Sequence, residues 1–311
     1  MKKLILFLSF LLPLSLVLSA CGNNTEKTTK KKNQLTIYTT VFPLQYFTER
    51  IGGKYVKVAT IYPPGADEHT FEPSQKDMMN LADSDLFFYI GLGLEGFVEK
   101  AKGTLKDENV TLVPAAEGLK LPKDHHSSEE EDHEDHAGVN PHVWLDPVYS
   151  KEMAAVIRDQ LAKKLPHRKA YFDENYQKLA DELDELDANF ANTISQAKHK
   201  KIIVTHAAFS YWETRYGIEQ ISISGLSTTN EPSQKELEKI ISMADHEGLH
   251  YMLFEQNVKS KLGKVVQKEI GARALPIHNL AILTKDDIKN KETYFSLMNK
   301  NLKTLETALN N

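Results

Sequence analysis

An uninterrupted amphipathic segment in the middle of the chain most constrains what this sequence can fold into. Residues 167–199 contain no proline or glycine, and large apolar side chains recur at helical spacing from Tyr171 to Phe190. At ~1.5 Å per residue, a helix of about thirty residues is about 45 Å long. A coiled-coil arm is the alternative, but the seam is short and rich in Tyr and Phe. The pattern predicts one long rigid helix at the centre of the fold.

The segments on either side of this helix alternate β-rich runs with amphipathic runs. Such an order is typical of α/β lobes with mostly parallel sheets and helices on both faces. We therefore expect a first lobe over residues 35–165, a linking helix over 166–199 and a second lobe over 200–311. The predicted strands are 35–40, 56–62, 85–91 and 110–115 in the first lobe, and 201–206, 218–224, 251–255 and 272–278 in the second.

The N-terminal residues are predicted to lie outside the folded body. Two lysines precede an apolar run of about fifteen residues, which is short for a transmembrane helix and typical of a signal peptide, here residues 1–20. The run ends in LSAC, which resembles the lipobox of bacterial lipoproteins and predicts acylation of Cys21; a buried core cysteine is the alternative. Residues 21–34 are polar and predict a flexible tether. A diacylglycerol anchor at Cys21 would hold the protein at the membrane without a span.

The composition and the short motifs narrow the function classes. The formal net charge of −5 argues against a nucleic-acid partner, and a single cysteine excludes internal disulfides. No GxSxG or P-loop run occurs. His246 and His250 are four residues apart around Glu247, as in metallohydrolases, but at a predicted helix end where they would not share a face. We therefore predict that the protein is not an enzyme, with an extracytoplasmic metallohydrolase as the least favoured alternative.

Three histidines occupy comparable positions, after a predicted strand or before a predicted helix. His69 follows the turn PPGADE, His142 follows Asn-Pro ahead of a helix start, and His206 ends the first strand of the second lobe. Ligands of open α/β sheets bind at the carboxyl ends of strands, so these side chains can converge in the cleft between the lobes. Each could instead be a surface or hydrogen-bonded histidine. Together the three predict a metal site.

A second histidine cluster lies in an acidic segment within residues 122–138. Its core, DHHSSEEEDHEDH at 124–136, has almost no apolar side chain, which predicts a disordered loop. Ordering such a loop costs entropy, so it should bind zinc weakly and in many arrangements. We expect it to capture or sense zinc for the cleft; a solvated loop without a metal role is the alternative. Its histidines are His125, His126, His133 and His136.

Four separated motifs carry a family resemblance: PPGADEHTFEPS, NPHVWLDP, THAAFSYWETRYG and ISISGLSTTNEPS. They resemble segments of the zinc-binding lipoproteins of bacterial ABC uptake systems, the ZnuA- and AdcA-like proteins of cluster A-I. The resemblance covers the whole mature chain and implies that His69, His142 and His206 are the histidine ligands. Manganese-binding relatives usually carry glutamate at the position of His206. Imidazole suits Zn²⁺ and carboxylate suits Mn²⁺, so this histidine favours zinc.

The sequence departs from that family pattern at one position. Many relatives supply a carboxylate near the last strand as a fourth ligand, where this chain has Ala281. Water could complete the site, or a nearby carboxylate could, with Glu68, Glu255 and Asp286 as candidates. His278 is closer in sequence but less favoured. Glu255 ends a predicted strand, and orienting an imidazole by a hydrogen bond is the role that we expect for it.

The resemblance implies a transport function. A lipid-anchored, monomeric protein on the outer face of the membrane of a Gram-positive bacterium would capture Zn²⁺ and deliver it to an ABC permease and its ATPase. Manganese uptake by the same fold and a surface adhesin are the alternatives. The rigid linking helix predicts only a small movement of the lobes on metal binding.

Overall fold

A computed structural model of the chain describes residues 34–122, 138–229, 232–257 and 260–310. The predicted signal peptide, the predicted acylation site Cys21, all but the last residue of the predicted tether and the four histidines of the acidic segment lie outside these residues. Among the described residues, every helix is too short or too polar to cross a membrane.

The first lobe is built on a four-stranded parallel sheet with the strand order β2-β1-β3-β4. The inner strand β3 is buried along its whole length, as expected where helices cover both faces of a parallel sheet. The strands are β1 (Leu35–Thr39), β2 (Val56–Thr60), β3 (Leu86–Tyr89) and β4 (Thr111–Pro114). The connecting helices are α1 (Phe42–Gly52), α2 (Gln75–Ala82) and α3 (Val98–Leu105).

The second lobe repeats this unit with the equivalent strand order, β6-β5-β7-β8, again parallel throughout. Its strands are β5 (Lys201–His206), β6 (Glu219–Ser224), β7 (Tyr251–Glu255) and β8 (Arg273–Ile277). Three helices connect these strands, as in the first lobe, and helices α4 and α5 precede them in the chain. The second-lobe helices are α6 (Ser210–Tyr216), α7 (Gln234–His246) and α8 (Lys261–Glu269).

The equivalence of the lobes extends to a helix start. The helices α2 and α7 both follow a Pro-Ser pair and begin with Gln-Lys. Ser74 and Ser233 each accept a hydrogen bond from the third helical residue, whose carboxylate accepts one in return. Such a capping box satisfies backbone N–H groups that a helix start would otherwise leave unpaired. The same local sequence therefore starts a helix at the same topological position in both lobes.

Two helices connect the lobes: α4 (Pro147–Lys164) and the long α5 (Lys169–Ser195). The 27-residue α5 is shorter than the predicted 166–199, because residues 166–168 form a 3-10 turn that begins at Pro166 and the helix ends at Ser195. A proline lacks the N–H that a continuing α-helix needs. The apolar stripe of α5 is buried, from Phe172 to Ile194, and it belongs to one apolar core that includes residues of both lobes. The long helix is therefore packed along its length rather than exposed as a free connector.

The C-terminal helix α10 (Tyr294–Asn310) follows a short helix, α9 (Lys285–Asn290). The hydroxyl of Tyr294 donates to the carbonyl of Trp144 at 2.9 Å, and its ring centroid lies 5.0 Å from that of Phe47 in α1. The end of the chain therefore packs against the first lobe as well as the second. α9 was not predicted from the sequence, although Thr284 and Asp287 form a capping box at its start.

Candidate metal centre

His69 lies on the loop that connects β2 to α2. Its backbone N–H donates to the Asp67 carboxylate at 2.9 Å, and the other oxygen of Asp67 accepts from the Thr228 hydroxyl of the second lobe at 2.7 Å. The loop that carries His69 is thus tied across the cleft. The imidazole is partly exposed, but its Nε2 atom is buried and has no hydrogen-bond partner among the described residues.

His142 lies just before a 3-10 turn, Val143–Leu145, and is completely buried. Its ring Nδ1 is 2.7 Å from Oδ1 of Asn140, and its backbone N–H donates to the same oxygen at 2.9 Å. The ring of Trp144 packs beside it, with centroids 5.2 Å apart. A hydrogen bond therefore holds the Nδ1 edge of the His142 ring, and the Trp144 ring packs beside it. The Nε2 edge faces the other histidines.

His206 ends β5 and is also completely buried. Its Nδ1 lies 2.5 Å from Oε1 of Glu255, which ends the neighbouring strand β7. The hydroxyl of Thr205 donates to the same carboxylate oxygen at 2.8 Å. Glu255 thus contacts the outer edge of the His206 imidazole, a position from which a carboxylate can orient the ring.

The three imidazoles converge between the lobes. One ring nitrogen from each of His69, His142 and His206 lies within 4.8 Å of the others. Nε2 of His142 and Nε2 of His206 are 3.3 Å apart. A cluster of nitrogen atoms at this spacing can surround one metal ion, because Zn–N bonds are about 2.0–2.1 Å long.

The hydrogen bonds on the outer edges determine what the inner edges can do. The Asn140 amide oxygen and the Glu255 carboxylate oxygen accept these hydrogen bonds, so Nδ1 of His142 and Nδ1 of His206 each carry a proton. In the neutral rings, the Nε2 lone pairs then point toward each other across 3.3 Å. Two lone pairs at that distance repel unless a cation lies between them. The arrangement is suited to a metal ion or a shared proton.

Burial keeps most of this cluster uncharged. Desolvation, followed by the charge of His206, lowers the pKa of His69 and of His142, so both are neutral and able to coordinate metal. Burial also lowers the pKa of His206, but the charge of Glu255 and its hydrogen bond outweigh this, and the net pKa is raised. The Glu255 carboxylate therefore favours positive charge on His206.

Glu68 is buried and precedes His69 in the chain, although its oxygens are outside the group of ligand atoms that lie within 4.8 Å of one another. Its Oε1 accepts from Nδ2 of Asn279 at 2.8 Å, whereas Oε2 is buried without a hydrogen-bond partner among the described residues. Burial raises the pKa of Glu68 to about 7. A nearby divalent cation would favour its ionised form, so the unpaired oxygen can serve as an additional ligand atom.

Position 281 brings no ligand side chain to the cluster. Ala281 is fully buried, its backbone N–H donates to Oδ1 of Asn279 at 3.1 Å, and its carbonyl accepts from the N–H of Phe42 at 2.8 Å. Nearby, the indole N–H of Trp144 donates to the carbonyl of Asn279 at 2.6 Å. The loop after β8 therefore joins the lobes through its backbone, where relatives are expected to place a carboxylate.

The other two residues considered for a fourth ligand lie in different environments. Nδ1 of His278 accepts from the N–H of Leu280 at 2.8 Å, which leaves the Nε2–H to donate to Asp287 at 3.2 Å. Both ring nitrogens are thus occupied by this loop. Asp286 is exposed on the first turn of α9. Neither residue adds a ligand atom to the described cluster.

The hydrogen bonds of Asp287 predict a pH-dependent contribution to stability. Burial raises the pKa of this carboxyl, but hydrogen bonds from His278 and Thr284 outweigh that, and the net pKa is lowered. A lowered pKa stabilises the fold above the unfolded value of about 4, and the contribution is lost as the pH falls below it. Asp287→Asn should reduce the free energy of unfolding by about 1 kcal/mol at pH 7. In urea titrations of both proteins, this difference should be constant above about pH 5 and shrink as the pH falls below about 4; a constant difference down to acid pH would contradict the prediction.

Two motifs that resemble enzyme signatures do not have the required geometry. α7 ends at His246 and Gly248 adopts φ +62°, so His246 and His250 do not share a helix face as a metallohydrolase pair must. Residues 91–96 have the glycine spacing of a dinucleotide-binding loop. However, the buried Glu95 carboxylate accepts from the backbone N–H groups of Ile90 and Gly91 at 2.8 and 3.0 Å. These amides are therefore unavailable to a phosphate.

Sequence reasoning did not identify several residues that hold the cluster together. Asn140 contacts His142, Asn279 contacts Glu68, and Asp67 bonds across the cleft to Thr228. The motif NPH indicates a role for Asn140, because an asparagine side chain readily accepts a hydrogen bond from the backbone N–H of the residue two positions later. Asn279 has the same local contact, with the N–H of Ala281, but nothing local indicates its bond to Glu68, and Thr228 gave no signal because its partner is distant in the sequence.

The fold and the histidine cluster together define a class of protein: a two-lobed α/β binding protein with a buried candidate metal site between the lobes. Residues 37–308 match the family ZnuA, described as zinc-uptake complex component A, periplasmic. The chain belongs to this family, and the predicted family and fold class are confirmed.

Individual relatives are similar over most of the chain. The zinc-binding lipoprotein AdcA of Streptococcus pneumoniae strain R6 is 35% identical over 310 residues, which are 98% of this chain and 61% of AdcA. The high-affinity zinc uptake system protein ZnuA of Bacillus subtilis is 31% identical over 305 residues, 94% of each chain. The crystal structure of Zn(II)-bound AdcA from S. pneumoniae superposes with a TM-score of 0.76 at 33% identity, over 89% of this chain and 58% of AdcA. The chain therefore spans only about three fifths of the length of AdcA.

Proposed function

We propose that this protein captures Zn²⁺ outside the cytoplasm and delivers it to an ABC permease for uptake. One observation carries the proposal: three imidazoles from distant segments meet in a buried cleft with ring nitrogens within 4.8 Å of one another. Two of these imidazoles are already oriented from behind by Asn140 and Glu255. Hydrogen bonds of this kind are typical of metal sites, where they fix the ring orientation.

The donor set supports zinc rather than manganese. The proposed ligands are His69, His142 and His206, all of which offer imidazole nitrogen. Imidazole suits Zn²⁺, whereas Mn²⁺ is better served by carboxylate and water. We propose Glu68 or a water molecule as the fourth ligand and assign Glu255 to the orientation of His206.

The proposed location and partners follow from the sequence and the relatives. AdcA is a zinc-binding lipoprotein and ZnuA of B. subtilis is a zinc uptake system protein, which supports a role as the metal-binding component of a transport system rather than as an enzyme. The LSAC motif supports an acylated Cys21 on the outer face of the membrane. A permease and its ATPase would then receive the metal.

Native mass spectrometry of the chain from residue 34 with competing metals tests this proposal. We expect one tightly bound Zn²⁺ per chain that equimolar Mn²⁺ does not displace. Removal of residues 124–136 should leave this stoichiometry at one, because the histidines of the acidic segment are proposed to supply the site rather than form it. Preferential retention of Mn²⁺ would overturn the choice of metal. Loss of tight binding on removal of the segment would overturn the assignment of the site.

A further inference from the structure

Asn140 is the residue through which the candidate ligands of the two lobes are connected. It is buried, with 1% of its surface exposed, and its side chain uses both ends. Oδ1 accepts from the backbone N–H and from Nδ1 of His142. Nδ2 donates to the carbonyl of Ala207 at 2.8 Å and to the hydroxyl of Ser210 at 2.7 Å. Tyr211 donates from its hydroxyl to the backbone carbonyl of Asn140.

These contacts fix which way the amide faces. A backbone N–H can only donate, so the atom of Asn140 that meets the N–H of His142 must be the oxygen. The carbonyl of Ala207 can only accept, so the atom that meets it must be the nitrogen. The amide therefore cannot be flipped without losing a hydrogen bond at each end.

The orientation of the amide determines the tautomer of His142. Because Oδ1 of Asn140 accepts from Nδ1, the proton of the neutral imidazole is on Nδ1 and the lone pair is on Nε2. This is the nitrogen that lies 3.3 Å from Nε2 of His206. Without the acceptor, the ring could rotate or carry its proton on Nε2, and it would then present no lone pair to a metal.

The amide nitrogen of Asn140 contacts the second lobe next to His206. Ala207, whose carbonyl accepts from Nδ2, directly follows His206 in the chain. One side chain thus contacts His142 itself and the residue next to His206. Glu255 orients the His206 ring with a carboxylate, whereas Asn140 orients the His142 ring with a neutral amide. One acidic side chain and one neutral side chain therefore orient the two histidines.

We propose that Asn140 is a positioning residue for zinc binding, which holds His142 in the Nδ1-protonated tautomer and aligns it with His206. This inference rests on the proposed zinc function, although its main prediction can be tested without metal. Its central requirement is the oxygen of the amide, which contacts His142, rather than the general packing of the side chain.

Two substitutions separate orientation from packing. Asn140→Ala removes both ends of the amide, while Asn140→Asp keeps the acceptor for His142 and loses the donor toward Ala207. Both variants should be less stable than the wild type in thermal unfolding. Removal of an orienting partner typically weakens metal affinity by about 10–100-fold, which we expect for Asn140→Ala in a competition titration with a zinc chelator. Asn140→Asp should remain within about tenfold of the wild type and bind more tightly than Asn140→Ala.

Asn301→Ala is the matched control. Asn301 is a buried asparagine that likewise uses both ends of its amide, bonding the N–H and the carbonyl of His278 at 2.8 and 2.7 Å. Its removal should lower stability with little change in zinc affinity. Equal loss of affinity in Asn140→Ala and Asn140→Asp, or wild-type affinity in Asn140→Ala, would overturn the proposed role of Asn140.

A measurement on metal-free protein makes the inference independent of the zinc function. Long-range ¹H–¹⁵N spectra report the tautomer of a histidine ring, and we expect His142 to be Nδ1-protonated in the wild type and in Asn140→Asp. In Asn140→Ala this tautomer should lose its dominance. An Nε2-protonated His142 in the wild type would overturn the inference. If the tautomer is as expected but the wild type binds no zinc, the proposed function fails and the assignment of Asn140 as the residue that fixes this tautomer stands.

Discussion

Replacing His206 with alanine should weaken zinc binding by at least about a hundredfold. Structural zinc sites bind with about 10–16 kcal/mol, so each of four ligands contributes roughly 3 kcal/mol, and ~1.4 kcal/mol corresponds to a factor of ten. The substitution removes the nitrogen that lies 3.3 Å from Nε2 of His142, and it leaves the buried Glu255 carboxylate without its imidazole partner. Competition titration with a chelator of known affinity would measure the loss.

His199 offers a matched control for this substitution. It is partly buried, and its Nδ1 atom is also buried, but it precedes β5 whereas His206 ends that strand. A strand rises about 3.3 Å per residue, which places the two histidines roughly 20 Å apart. His199→Ala should bind zinc as the wild type does. Retention of tight zinc binding by His206→Ala would show that the ion is held elsewhere.

Zinc should raise the midpoint of thermal unfolding by roughly 10 °C. A ligand that binds only the folded state at a thousand times its Kd stabilises that state by about 4 kcal/mol. In proteins of 150–250 residues, each kcal/mol shifts the midpoint by about 2–4 °C. The metal-free cleft explains why zinc should stabilise the fold. Nε2 of His69 and Oε2 of Glu68 are buried there without hydrogen-bond partners among the described residues. A bound cation coordinated by His69 would give its buried Nε2 atom a partner.

Differential scanning calorimetry with and without zinc would measure this shift. Magnesium serves as the ionic control, since it prefers oxygen ligands and should leave the midpoint unchanged. His142→Ala should lose most of the zinc-induced shift. An equal shift in that variant would contradict the assignment, because the stabilisation would then arise outside the three-histidine cluster.

The architecture was largely predictable because its signals are local. The burial of one face of α5 follows from the spacing of apolar side chains between Phe172 and Ile194, and each strand of the two sheets coincides with a β-rich run. The short helix α9 was missed because six residues give too little periodicity to detect. Its capping box, Thr284 with Asp287, is a local signal that could have identified it.

The fourth ligand illustrates the limit of sequence reasoning. Glu68, Glu255, Asp286 and His278 were all candidates, because Glu68 precedes His69, Glu255 ends a predicted strand, and Asp286 and His278 lie near Ala281. In the structure, Glu255 contacts the outer edge of His206, both nitrogens of His278 are occupied, and Asp286 is exposed. Glu68 has a free buried oxygen. These differences depend on side-chain contacts that no local pattern encodes.

The sequence by itself determined the two α/β lobes, the long helix and the three histidines, since periodicity and strand-end position are properties of short segments. Only the tertiary structure decided how these histidines are oriented. The amide of Asn140 reaches residues 67 and 70 positions away, and Asn279 reaches Glu68 across 211 positions. Such hydrogen bonds form only after both lobes have folded and packed together, so the chemistry of the cleft depends on contacts that are distant in the chain.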